Sequence, residues 1–202
     1  MTFPPGTAKM SLHQAEGGTM TDRLHRALAL IDRANAADPK GEAVVYGQRM
    51  SAELARLFPG ASDVLQVAAR GQHVERWLLP RSDYPEGKAG YLDWRREQGR
   101  RHAERVAGNM AEAGFPAGDC ERVGVLLRKE GIKRDPEVQA LEDVICFVFL
   151  KFHFTPFAAG RDAEQTLDIV RKTARKMSAA GRMRVLEEFD LPAPLAQAFG
   201  EA

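Results

Sequence analysis

The chain is poor in the features that mark a zinc knuckle, a disulfide-stapled domain or a membrane protein. Cys120 and Cys146 are its only cysteines and neither has a CxxC or CxH neighbour, so the thiol pairs those structures need are missing. The longest apolar stretch, Val144 to Leu150, is far shorter than the roughly 20 residues that span a bilayer. Lys9 is followed by no apolar segment, which leaves no secretory signal to read and makes the cytoplasm the expected location. Bulk charge is absent too: 29 Lys and Arg face 28 Asp and Glu, and a balance of +1 argues against a dedicated nucleic-acid binder or a membrane-surface protein. Alternating apolar and polar runs are scarce, with Ala43 to Tyr46 the one brief example, so strand content is expected to be near zero.

What the chain does have is helical patterning. Its 202 residues suffice for one substantial core but not for two, so one domain is expected. Residues 1–19 combine Pro4, Pro5, Gly6, Gly17 and Gly18 with few large apolar groups and read as a flexible tail, with Met20 an alternative start. Residues 20–202 read as a single all-α domain, a compact bundle of about seven to nine helices. The first carries the stripe Leu24, Ala27, Leu28 and Ile31 and ends near Asp38-Pro39-Lys40-Gly41. A short helix is expected from Ser51 to Leu57, and another from Ser62 through Leu65, Ala68, Ala69 and Trp77 to Pro80. After a loop with Pro85, Gly87 and Gly90, a long amphipathic helix runs from about Tyr91 to Ala113, with Gly114 past its end. Asp119 opens a helix that reaches Gly131. Asp135-Pro136 is a strong start signal, because proline at the first helical position gives up no needed N–H. The run Leu141 to Phe154 is apolar almost all round, as a central helix contacted on every side requires. Helices at Ala163 to Ala180, at Met183 to Phe189 and after Pro192 complete the bundle.

Polar groups inserted in these apolar helices are the candidates for chemistry, since a charge buried without a partner or a metal is strongly unfavourable. Glu142 and Asp143 stand in the first turns of the central helix, with Gln139 on a neighbouring part of the same face. A carboxylate pair responding to the helix N-terminus is the ordinary explanation. His73 is expected on the third helix with Ala69 a turn before it, Trp77 a turn after and Gln72, Arg70 and Arg76 around it; His102 belongs to the long helix, one turn after Gln98 and two after Arg95. Packed inward, the two imidazoles would meet Glu142 and Asp143 as nitrogen and oxygen ligands of a divalent metal ion. Basic residues form the other half of the pattern. Arg70, Gln72, Arg76, Arg81 and Arg95, with Lys129, Lys133, Lys172 and Lys176, are the candidate phosphate or substrate contacts. Both lysine pairs repeat at i+4, and Arg171 to Arg184 holds six basic residues and no acid, a pattern that also describes a solvated face.

Several segments resemble a known bacterial and fungal family. Ala69-Arg70-Gly71-Gln72-His73-Val74-Glu75-Arg76-Trp77, Pro80-Arg81-Ser82-Asp83-Tyr84-Pro85, Gly90-Tyr91-Leu92-Asp93-Trp94-Arg95, Leu141-Glu142-Asp143-Val144 and Lys172-Thr173-Ala174-Arg175-Lys176-Met177-Ser178 look like the domain of unknown function numbered four thousand two hundred and two. That likeness covers Asp22 to about Leu195 and implies relatives without an established activity. More weakly, His73, His102 and Asp143 resemble in order the ligands of HD-superfamily helical metal phosphohydrolases, which would make the bundle HD-domain-like. Ala103 breaks the His-Asp doublet of that pattern, Glu104 would point away on a helix, and Glu142 is the carboxylate left to replace it.

The function expected is that of a metal-dependent phosphohydrolase acting on a nucleotide or another small phosphorylated metabolite. His73, His102, Glu142 and Asp143 would hold the ion, and Glu142 and Asp143 would serve catalysis beside the water it activates. The alternative is a non-catalytic RNA- or tRNA-associated module in which Trp77, Tyr84, Tyr91 and Trp94 stack on bases. A helical scaffold whose polar clusters only fix packing is the third reading. No membrane partner is expected, and the oligomeric state is not legible.

Overall fold

The computed structural model describes residues 20–202, so the flexible-tail reading of residues 1–19 falls outside the described residues. Ten α-helices follow in order: α1 Met20–Asn35, α2 Glu42–Leu57, α3 Asp63–Gly71, α4 Gly87–Glu112, α5 Ala117–Arg128, α6 Pro136–Phe152, α7 Phe154–Ala159, α8 Ala163–Lys176, α9 Ala179–Glu188 and α10 Ala193–Gly200. Two single 3-10 turns, Arg76–Leu78 and Arg81–Asp83, lie between α3 and α4, and there is no strand among the described residues. The all-α expectation is correct; the count exceeds nine because the six-residue α7 has no apolar period of its own to announce it.

Local signals explain the boundaries, including two that differ from expectation. The second helix starts at Glu42 rather than Ser51. Asp38 accepts the backbone N–H groups of Lys40, Glu42 and Ala43 at 2.9–3.0 Å, satisfying donors that the first turn leaves free. Gly41 supplies the left-handed φ of +68° that turns the chain into the helix, so Ala43 to Tyr46 joins α2 and Ser51 is interior. Asp38→Ala should destabilise the fold, read as a lower urea midpoint with an unchanged slope. Ser62 does cap α3, its hydroxyl accepting from the Leu65 N–H at 3.1 Å, but the helix stops at Gly71 instead of reaching Trp77. The cause is Glu75, held at φ +52° with its N–H on the buried Asn35 side-chain oxygen, a geometry that a right-handed helix cannot contain. Asp135 accepts from the N–H groups of Glu137 and Val138 and Pro136 occupies the first turn, as the sequence predicts.

Two apolar clusters share α6. The larger gathers Ile31, Met50, Leu54, Val67, Val106, Met110, Leu126 and Leu141 from α1 to α6; the smaller joins Phe147 and Leu150 to Val170, Met177, Val185 and Phe199 of the C-terminal helices. At roughly 1.5–3 kcal/mol per buried large side chain, these clusters are the main favourable term of the fold. Gly71 is needed where α3 meets α4, because a Cβ there would lie 2.4 Å from a Val106 methyl carbon. That close approach lets the turn after α3 run directly beside α4, and the functional cavity lies there.

Candidate functional site

The segment after α3 is short, sharply turned and rich in polar groups. Freed from the helix, His73 stacks on Tyr46 of α2, ring centroids 4.2 Å apart and planes 14° from parallel. Its other neighbour is His102 of α4, with ring centroids 6.1 Å apart. Three residues on, Arg76 lays its guanidinium 4.6 Å from the centre of the Trp94 ring, while the Trp94 indole N–H donates to the Leu79 carbonyl at 3.0 Å. Gln98 fixes the same turn by donating to the carbonyls of Arg76 and Leu79. These groups line an open cavity of about 1790 Å³, closed on its other sides by the end of α5, the length of α6 and one face of α8.

Positive charge dominates the lining. Ten Lys and Arg residues border the cavity against four Asp and Glu. Of those four acids, Asp38 is engaged in capping α2 and Glu130 is bonded to Arg128. Glu142, 3% exposed, accepts Lys129 Nζ at 2.5 Å and has Lys176 Nζ 4.0 Å from its other oxygen. Burial pulls the Glu142 carboxyl upward, but Lys129 and then Lys176 outweigh it and hold the group below its ordinary range, so it is ionised. Burial lowers the pKa of Lys129 despite that partner. Arg76 and Arg95 form no ion pair with any acid among the described residues. Arg95 donates to the Tyr91 hydroxyl at 3.3 Å, and Arg76 is lowered by burial and by Arg95. Of the three non-glycine residues with positive φ among the described residues, Lys129 lines the cavity and carries its central cation, and Glu75 immediately precedes the lining residue Arg76. Such backbone strain, of order 1–3 kcal/mol each, is characteristic of functional loops.

The His73 and His102 imidazoles are neutral. Burial and then Arg76 hold His73 well below its ordinary value, and burial followed by Arg76 and Arg95 pushes His102 down to about 3. His102 Nε2 is buried and has no hydrogen-bond partner among the described residues. A depressed imidazole contributes stability in full above its unfolded value of about 6.5 and loses it as pH falls toward 3. Between pH 7 and pH 5 the His102 share of that loss is about 2 kcal/mol. Urea unfolding at the two pH values should show it, and His102→Gln should flatten the difference.

The expected site residues divide sharply. Brought together around the cavity are His73, His102, Glu142, Gln72, Arg76, Arg95, Lys129 and Lys176, with Arg81 at the rim. Arg81 itself is engaged in the loop, donating to the carbonyls of Tyr84 and Pro85 at 2.8 Å. Arg70 is turned the other way, gripping both Asp32 carboxylate oxygens at 2.7 Å and Ser51 at 3.2 Å. Lys133 donates to the Met177 carbonyl, and Lys172 pairs with Asp168 on the outer face of α8. Asp143 faces α9: its oxygens accept the Ser178 N–H at 2.8 Å, the Ser178 hydroxyl at 2.6 Å and the Gln139 amide at 3.1 Å. Ser178 in turn accepts from the Gly181 N–H, which makes Asp143 the anchor of that helix cap. These four residues, Arg70, Lys133, Lys172 and Asp143, lie outside the cavity lining.

That division decides how a divalent ion fits. A metal set needs vacant donors that converge, but Glu142 is engaged by lysine and Asp143 by Ser178 on a different side of α6. Glu104, the other acid near His102 in sequence, pairs with Arg100 at 2.5 Å. Among the described residues no three of His, Cys, Asp and Glu gather as a metal-ligand group. The four expected ligands as they stand do not fit a divalent ion.

The aromatic set looks equally different in place. Trp94 is buried, hydrogen-bonded and covered by Arg76 on one face, whereas Tyr91 is 43% exposed at the cavity edge. Residues that sequence reading missed are Tyr46, Arg49, Ile145, Cys146, Phe149, His153 and Thr173, all in the lining. Those on α6 follow Glu142 at helical spacing, a signal that was present but masked by apolar residues all round that helix. No helix among the described residues is long and apolar enough to cross a membrane. No curated protein and no solved structure matches the chain. A family model does: residues 25–198 match the one described as Domain of unknown function (DUF4202), and the chain belongs to that family.

Proposed function

We propose that the cavity binds a small phosphorylated metabolite. Arg76, Arg95, Lys129 and Lys176 would neutralise its phosphate, and the neutral His73 and His102 rings would offer hydrogen bonds beside them. The observation that carries this reading is the pair Arg76 and Arg95, cations at the cavity wall that form no ion pair with an acid among the described residues, in a lining where Lys and Arg outnumber Asp and Glu. Desolvating an unpaired guanidinium is unfavourable, and an incoming dianion offsets that while gaining charge-assisted hydrogen bonds. The metal-dependent phosphohydrolase is the catalytic form of the same idea, but the donor set argues for binding without a metal. The RNA-associated alternative has less to draw on, since Trp94 has one face covered and the chain is nearly neutral overall.

Thermal unfolding with inorganic phosphate separates these readings. Phosphate should raise the midpoint in the presence of EDTA, and added divalent ions alone should not shift it. A shift that appears only with metal would instead favour the hydrolase with a bound ion, and no shift with any phosphorylated probe would leave the helical-scaffold reading.

A further inference from the structure

The cavity wall made by α6 and α8 is graded from charged to apolar in matched register. On α6 the lining residues are Glu142, Ile145, Cys146 and Phe149, spaced so that they form one stripe along the helix, with His153 at its C-terminal cap. On α8 they are Ile169, Thr173 and Lys176, again a single stripe. The helices run antiparallel along this wall. Lys176 Nζ lies 4.0 Å from Glu142, the Lys176 carbonyl accepts from Gln139 at 2.9 Å, and one turn further along Cys146 Sγ lies 4.0 Å from the Thr173 carbonyl. The same register carries Ile169 toward Phe149, so both helices turn apolar toward the same end. Phe149 is half-buried there, with the Phe157 ring edge-on at 5.4 Å. At a rise of 1.5 Å per residue the apolar end begins about 10 Å from Glu142.

We infer that the ligand is a phosphate that also carries a flat heteroaromatic group, about as long as a nucleoside diphosphate, with its phosphate among Arg76, Arg95, Lys129 and Lys176 and its ring against Phe149 and Ile169. This assignment rests on the phosphate-binding reading above and adds the other end of the molecule. One observation favours a ring with polar edges over a hydrocarbon chain. His153 lines that end with Nε2 unpartnered among the described residues, whereas the Thr173 hydroxyl is already satisfied by the Ile169 carbonyl at 2.9 Å. A nucleobase can offer a hydrogen bond to that imidazole, whereas an alkyl tail would leave it unsatisfied. Flat bases also stack on aromatic side chains with little regard to sequence of donors, which suits a single phenylalanine platform.

The test is titration calorimetry in EDTA with three probes: inorganic phosphate, ADP and octyl phosphate. ADP should bind at least about 10-fold more tightly than inorganic phosphate, and octyl phosphate should gain less. Phe149→Ala should remove most of the ADP advantage and leave phosphate affinity as it was; Ile169→Ser, on the facing helix, should do the same if the first variant fails to fold. Lack of any phosphate binding would reject the phosphate-binding reading itself. Equal binding of phosphate and ADP, with neither variant altering either, would overturn the graded-wall assignment alone, as would octyl phosphate binding more tightly than ADP.

Discussion

Arg76→Met is expected to make the protein more stable and to weaken phosphate binding about 100-fold, the cost of removing one close partner of a desolvated charge. The two effects arise from the same physics. In the free protein the Arg76 guanidinium is drawn down by burial and by Arg95, lies over Trp94 and has no acid to answer it. A methionine fills similar volume against the indole and leaves no charge to desolvate, so stability should rise by about 1–2 kcal/mol. A residue kept only for packing would show the opposite sign, with lower stability and unchanged affinity. Melting temperature and phosphate titration measured on the same two proteins give both numbers, and a destabilised variant with normal affinity would remove Arg76 from the site.

Asp143→Ala should behave in the reverse manner. It deletes the acceptor for the Ser178 N–H, the Ser178 hydroxyl and the Gln139 amide, inside a contact where the Asp143 carboxylate is 3.0 Å from the position a Gly181 Cβ would take. Leaving the partly buried Ser178 donors unsatisfied costs about 1–3 kcal/mol, and loosening the α9 cap that Asp143 anchors adds about 1 kcal/mol more. The total is about 3 kcal/mol, or roughly 10 °C for a chain of this size. Phosphate affinity measured well below the melting temperature should be unaffected, since Asp143 is not part of the cavity lining. A full loss of binding in a folded Asp143→Ala protein would return that carboxylate to the site.

The contrast between adjacent residues 142 and 143 shows what the sequence could carry. Both read as acids at the start of a buried helix, and one step of 100° sends Glu142 into the cavity and Asp143 to the α9 cap. No local pattern distinguishes them; the partner helices do. Arg70 and Arg76 repeat the lesson six residues apart, because the break after Gly71 sends Arg76 into the cavity while Arg70 remains on α3 against Asp32. The break itself depends on Asn35, a contact distant in sequence that overrides local helical preference. By contrast, the Asp135-Pro136 start, the Ser62 cap and the buried run of α6 were legible because each is decided within a few residues or by hydrophobic period alone. The all-α class was legible for the same reason, and so were His73, His102 and Lys129 as residues of interest. Tyr46 was hidden by its place in a short alternating run, and its role is set by stacking on His73 from another helix.

The most direct measurement is a crystal grown in EDTA with tungstate, a heavy tetrahedral anion whose position is unmistakable in anomalous maps. The cavity account predicts the anion between Arg76, Arg95 and Lys129, within reach of His102. Anomalous density confined to the outer face of α8, or a cavity left without the anion at saturating concentration, would contradict it.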